Sequence, residues 1–380
     1  MITTANPCYA PIGQDSADPI THHQAFPLLA DASSYNACLW DLRHLENPRA
    51  YWLDLFRRHF ASLLDHARSE RLESGEPPDQ VEGRCRQAST HFLAWLDHAE
   101  DSPSHFDRLD VLTICWARER ALRAACIPDP YRLAKAEQTA AALIHLPGWL
   151  TELDAMDRDD KWLSLLRGVF AGNLFDLGAT KTLDMYADGS APDFHTTLNN
   201  LKPRPWFIDD GDAFLARWAG RRFREAILFV DNAGPDVTLG MIPLARELAR
   251  YGRVILSANS APSLNDITHA ELLPLLDQVA RLDPTIAEQR ASDRLVAIPS
   301  GNWAPLMDLT RMAPDLCAAA DRGTDLVILE GMGRGIESNH EAQLTCDTLK
   351  IAMIKDEGVA EAQGASLFDL VCRFDPAPDK

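Results

Sequence analysis

The chain has 380 residues, 46% of them hydrophobic, and a formal net charge of −19. That length supports one large α/β unit with a second layer or small domain. The acidic balance argues against a long nucleic-acid backbone as partner, because such binders concentrate Lys and Arg to neutralise phosphates, but a small anion held by local donors and a metal ion stays compatible with it.

The eight cysteines are scattered, form no C-x-x-C pair and follow no signal-peptide-like segment, so they read as reduced thiols. No apolar run approaches the ~20 residues of a membrane span. The expectation is a cytoplasmic protein with neither a membrane nor a nucleic-acid partner; composition sets no oligomeric state.

From about Pro48 to about Pro192 apolar residues recur at three- and four-residue spacing, in AYWLDLFRRHFASLLDHARSE, QVEGRCRQASTHFLAWLDHAE and FDRLDVLTICWARERALRAA. This half is helical, with breaks at Gly75 to Pro78, Ser102 to Ser104 and Ile127 to Pro130. After Glu225 short apolar runs alternate with helical stretches: AILFV, VILSA, LVAIP, LVILE, IAMI and SLFDLVCRF. Continuous apolar runs suit parallel strands buried on both faces. The expected fold is therefore α/β, a doubly wound, mostly parallel sheet over residues 201–380. An N-terminal α-helical region, 1–200, contributes to the pocket.

Five consecutive runs end in polar groups: Asp231 and Asn232, Asn259 and Ser260, Ser300 to Asn302, Glu330 and Gly331, Lys355 and Asp356. Ligands of open α/β sheets bind beyond the carboxyl ends of the strands, so these groups are expected to converge on one pocket. Asp231, Asn232 and Asp266 offer two carboxylates and an amide oxygen, a set suited to Mg²⁺ or Mn²⁺ with open positions for water and a phosphate. The competing structural reading makes Asp231 a turn residue and Asp266 a helix N-cap.

Glu330-Gly331-Met332-Gly333-Arg334 is a Gly-rich turn after a strand, where backbone N–H groups and Arg334 can meet an anion; a structural turn is the alternative. It lacks the spacing and chain position of a dinucleotide fingerprint. Lys355 can place a point charge on a phosphate, whereas Lys350, within or before that strand, reads as a solvated or edge position. Of twelve histidines only His269 and His340 follow His195, which favours oxygen ligands over a multi-histidine zinc site.

At these residues the sequence resembles the metal-dependent damage-control phosphatases, in particular the subfamily whose phosphatase domain is fused to a pantothenate kinase in animals. The likeness runs from Phe26-Pro27-Leu28-Leu29-Ala30 through Gly172 to Ala179, Arg204-Pro205-Trp206, the Asp231 motif and Asn259 to Asp266, up to Glu330 to Arg334. It departs at Leu177, usually Trp, and at Ala261, usually Gly. The resemblance implies a metal held by Asp231, Asn232 and Asp266, with Asn173 and Asp176 brought in from the helical half and Lys355 on the phosphate.

The function expected is hydrolysis of small phosphomonoester metabolites, 4′-phosphopantetheine or its oxidised or damaged derivatives by resemblance, with Mn²⁺, Mg²⁺, Co²⁺ or Ni²⁺ as cofactor. Asp231, Asp266 and Glu330 are the catalytic candidates; Asn173, Asp176, Asn259, Gly331, Gly333, Arg334 and Lys355 are the substrate-binding ones. Either water at the metal attacks, assisted by Asp266 or Glu330, or an aspartate such as Asp231 attacks. The rivals are an S-adenosylmethionine-dependent methyltransferase, which shares a doubly wound sheet and a Gly-rich turn, and a catalytically silent metabolite-binding protein.

Overall fold

The computed structural model of the chain describes residues 18–174 and 194–378. The helical half opens with α1 (Glu46–Glu73), α2 (Pro78–Asp101) and α3 (Val111–Ala124). Their boundaries follow local chemistry. Pro78 sits in the first turn of α2, where its missing N–H costs nothing, and Asp110 and Thr113 form a reciprocal cap on α3. Trp52, Phe56, Phe60 and Leu63 of α1 and Cys85, Phe92 and Leu96 of α2 share a core with Ile354 and Val371. The first three helices are thereby fixed beyond the end of the sheet.

Helices α4 (Arg132–Ala155) and α5 (Arg158–Leu174) lie elsewhere. Their Trp149, Leu166 and Phe170 pack with Leu228, Leu256 and Ile328 of the sheet. The opposite face of the sheet, with Ile227, Phe229, Ile255 and Leu329, is covered by Phe26, Met307, Leu309 and Leu316.

The strands are β1 (Ile208–Asp209), β2 (Glu225–Phe229), β3 (Arg253–Ala258), β4 (Leu295–Pro299), β5 (Leu326–Glu330), β6 (Asp347–Met353) and β7 (Leu370–Asp375). They form one seven-stranded sheet in the order β1-β7-β6-β5-β2-β3-β4, parallel throughout except for the β6–β7 pair. The doubly wound, mostly parallel sheet is as expected. From β2 the chain steps outward through β3 and β4, then returns to place β5 against the other side of β2. The topological switch point, where such sheets bind ligands, therefore lies between Asp231 and Glu330.

Three details differ from the sequence reading. Strand β1 was not foreseen, being two residues long and without an apolar run. Strand β6 starts at Asp347, so Lys350 is not solvated but buried inside it, donating to the carbonyls of His340 and Ala342 and pairing with Asp375. Among the described residues six cysteines are free and buried, but Cys126 is disulfide-bonded, so the reading of all eight as reduced thiols does not hold. Among the described residues no helix is long and apolar enough to cross a membrane.

Candidate active site

Strand β2 delivers Asp231 and Asn232 to the switch point. Their backbones are tied to the loop after β3: Ile267 N–H donates to Asp231 O (3.0 Å) and Ala233 N–H to Asn265 O (2.9 Å). This brings Asp266 beside Asn232. From the other side of β2, Glu330 accepts the Asp231 N–H at 2.8 Å through Oε2. Gly331 follows at φ +97°, and a Cβ there would lie 2.3 Å from Asp231 Oδ2, so only glycine lets this backbone pass the carboxylate.

Helix α5 reaches the same point because Gly172 allows close approach; a Cβ on it would meet the Asp236 Cα at 2.8 Å. Asn173, the next residue, donates through Nδ2 to Asp236 Oδ2 (2.9 Å), Glu330 Oε1 (2.9 Å) and Asp231 Oδ2 (3.3 Å). Asn232 Nδ2 also donates to Asp231 and Asp236. Asp236 opens a π-helical turn, Asp236–Met241.

Four carboxylates, those of Asp231, Asp236, Asp266 and Glu330, are thus buried together. Two cations face them. The Arg334 guanidinium bridges Asp231, through Nη1, and Asp266, at 2.8 Å through Nη2, and also donates to Asn259 Oδ1. Lys355, 3% exposed, donates to the Asn173 carbonyl at 2.9 Å. Burial pushes the Glu330 carboxyl well above its usual range, and the negative charge of Asp236 adds to this. Burial raises Asp236 as well, against the opposing hydrogen bond from Asn173 and the charge of Lys355.

The donor set fits a hard divalent cation. Asp231, Asp236 and Glu330 each offer an oxygen, all within 4.8 Å of one another. Asn173 Oδ1 and Asp236 Oδ1 are buried and have no hydrogen-bond partner among the described residues. Among the described residues, four ionised carboxylates against two cations leave two negative charges, which one divalent ion would balance.

A cavity of about 300 Å³ opens from this cluster. Asp231, Asn232, Asp266, Gly333 and Lys355 line one end of it, and Tyr51, Trp52, Leu55 and Phe56 of α1 line a wall. Asn173, Asn259, Glu330, Gly331 and Arg334 are not on its surface; they stand behind the carboxylates and hold them. Asn302, at the end of β4, donates to Asn259 Oδ1 at 3.1 Å and so supports the same layer from the next strand. Asp176 lies outside the described residues.

Asp236 was overlooked in the sequence, where it passes for the first residue of a helix. Its five-residue separation from Asp231 across a small-residue turn was the available signal, since one tight turn returns such a residue to the strand mouth.

Raised folded-state values carry a consequence for pH. A carboxyl raised above its ordinary 4.5 contributes stability that is fully present below that value and is lost as pH rises through the folded-state value. The metal-free protein should therefore lose melting temperature relative to Glu330→Gln as pH climbs above about 4.5. A difference between the two proteins that stays constant with pH would mean that Glu330 ionises as freely in the fold as in water.

Fold and site together define an α/β protein with an acidic, metal-fit centre at the sheet's switch point. The chain belongs to the ARMT1-like damage-control phosphatase domain family, which it matches over residues 56–371, and the family is metal-dependent. It is 38% identical to a damage-control phosphatase of Arabidopsis thaliana, over 85% of this chain and 87% of that protein. It is 35% identical to pantothenate kinase 2 of the same plant (93% of this chain, 42% of that protein) and 30% identical to a Mus musculus protein named 4′-phosphopantetheine phosphatase (92% and 48%). The chain thus spans less than half the length of these last two. A DUF89 family protein of Pyrococcus horikoshii shares the fold, with a TM-score of 0.57 at 14% identity over 85% of this chain and 96% of that one. The resemblance read from the Asp231 and Glu330 motifs is borne out, and the methyltransferase alternative has no support.

Proposed function

We propose that this chain is an active metal-dependent phosphomonoesterase whose substrate is a small phosphorylated metabolite of the 4′-phosphopantetheine type, including oxidised or damaged forms. The observation that carries the reading is the cavity end lined by Asp231, Asn232, Asp266 and Lys355. An ion that must also touch a substrate needs ligands on the cavity surface. For that reason Asp231, Asn232 and Asp266 are preferred as its holders over the deeper Asp236 and Glu330.

Mn²⁺, Mg²⁺, Co²⁺ or Ni²⁺ would supply positive charge to the phosphoryl oxygens. Lys355 adds a second cation and fixes the phosphate's orientation. Asp231 is clamped, with Arg334 on one oxygen and Asn173 and Asn232 on the other, which suits a holder better than a nucleophile that must swing. Water is then the attacking group. Asp266, on the cavity surface, is better placed than Glu330 to take its proton. The remainder of the substrate lies along Trp52, Leu55 and Phe56, a wall suited to a flexible, partly apolar chain.

The test is phosphate release from a panel of phosphorylated metabolites and one aryl phosphate, with each ion supplied separately to metal-free protein. No release under any condition would leave the silent metabolite-binding reading in its place. Within an active enzyme, Lys355→Met should lower kcat/KM by about one to three powers of ten, as expected for losing a charge-assisted contact in a partly desolvated site. Metal affinity should be unchanged or slightly higher. Should Lys355 merely balance the carboxylates, the mutant would instead melt earlier without metal and turn over normally with it.

A further inference from the structure

The site brings its own cation to the carboxylates that face the cavity. Arg334 is 1% exposed, and its guanidinium spans two of the three proposed ligands, Asp231 and Asp266, while also donating to Asn259. The backbone that carries the arginine is held closely on both sides. Gly333 before it is packed so closely that a Cβ would meet the Pro305 carbonyl oxygen at 2.6 Å. Asn339 Nδ2, itself buried, donates to the Arg334 carbonyl at 3.1 Å. The main chain on either side of the guanidinium is therefore fixed.

We propose that Arg334 is the built-in counter-ion of the metal-free site and competes with the divalent ion for Asp231 and Asp266. This deepens the proposed function and rests on its choice of ligands. Two carboxylates held together in a buried pocket repel each other unless a cation lies between them. A guanidinium, planar and permanently charged, satisfies both at once. A divalent ion entering between the same oxygens must displace those contacts, so its net affinity is the difference between two strong interactions. Arg334 thus lowers metal affinity while keeping the empty site folded.

The competing geometry seats the ion among Asp231, Asp236 and Glu330, where Arg334 can keep its bond to Asp266; there the arginine would not compete. Calorimetric titration of Mn²⁺ into metal-free protein separates the two. Arg334→Met should bind Mn²⁺ more tightly than wild type, by about tenfold or more, while its metal-free form melts at a lower temperature. Arg334→Lys keeps the charge, but its single ammonium cannot span both carboxylates; it should fall between the two in affinity and guards against a Met variant that fails to fold. Affinity unchanged or weaker in both variants overturns the counter-ion role and leaves the phosphatase reading standing. Wild type that binds no divalent ion in the titration overturns both.

Discussion

Asp231→Asn should abolish phosphate release, by about a hundred- to a thousandfold or more, the range seen when one preorganised charge-stabilising group is removed from a water-poor site. The carboxylate is the point at which the parts of the site meet. It touches Arg334, Asn173 and Asn232, and its own backbone N–H is held by Glu330. An amide of the same shape keeps the packing but carries no charge, so divalent-ion affinity should fall with activity. The metal-free fold should survive, because removing one of four clustered carboxylates also relieves repulsion. Chelation of wild type should reproduce the activity loss and addition of Mn²⁺ should reverse it, whereas Mn²⁺ should not rescue the mutant. Wild-type turnover in Asp231→Asn would remove the acid cluster from the chemistry altogether.

Gly331→Ala is expected to be nearly as damaging, for a different reason. At φ +97° an L-residue is strained, and the new methyl carbon would sit 2.3 Å from Asp231 Oδ2 and 2.9 Å from its Cβ. The aspartate has nowhere to retreat, since both its oxygens are held. The substitution should therefore displace the carboxylate, weaken ion binding and reduce kcat/KM by about two powers of ten, the scale of a 1 Å error in a positioned group. Gly364→Ala is the matched control. It also has positive φ, +67°, but nothing lies within 4 Å of its added carbon. It should show only the backbone cost, about 1 kcal/mol, with normal kinetics. If Gly331→Ala behaved like Gly364→Ala, the close approach to Asp231 would carry no functional weight.

How far the site was legible can be followed residue by residue. The runs AILFV, VILSA and LVILE read as buried strands, since a continuous apolar stretch has no face to offer water, and their alternation with helical stretches made the sheet mostly parallel. Asp231, Asn259 and Glu330 mark where the apolar runs end, although all three are themselves buried in the fold. Lys350 misled, as lysines usually seek water; here two carbonyls and Asp375 satisfy the ammonium inside the strand. Asp236 was hidden by its place in a helix start, where an acid has an ordinary reason to be. Asn173 emerged through resemblance, and its geometric reason, the close pass of Gly172 against Asp236, belongs to two segments far apart in the chain.

What the sequence determined by itself was local: where strands and helices run, where each strand stops, and which chemical groups stand at those stops. Those properties follow from burial and backbone preference over a few residues. The tertiary structure decided which of those groups meet and on which side. Glu330 bonds to Asp231 because β5 returns to lie beside β2, and strand order is set by packing both faces of the sheet, with no trace in spacing. The same packing put Asp231, Asn232, Asp266 and Lys355 on the cavity wall and left Asn173, Glu330 and Arg334 behind it. Whether a charge meets substrate or only another charge depends on distances of a few ångströms between segments a hundred residues apart, and only the folded chain fixes them.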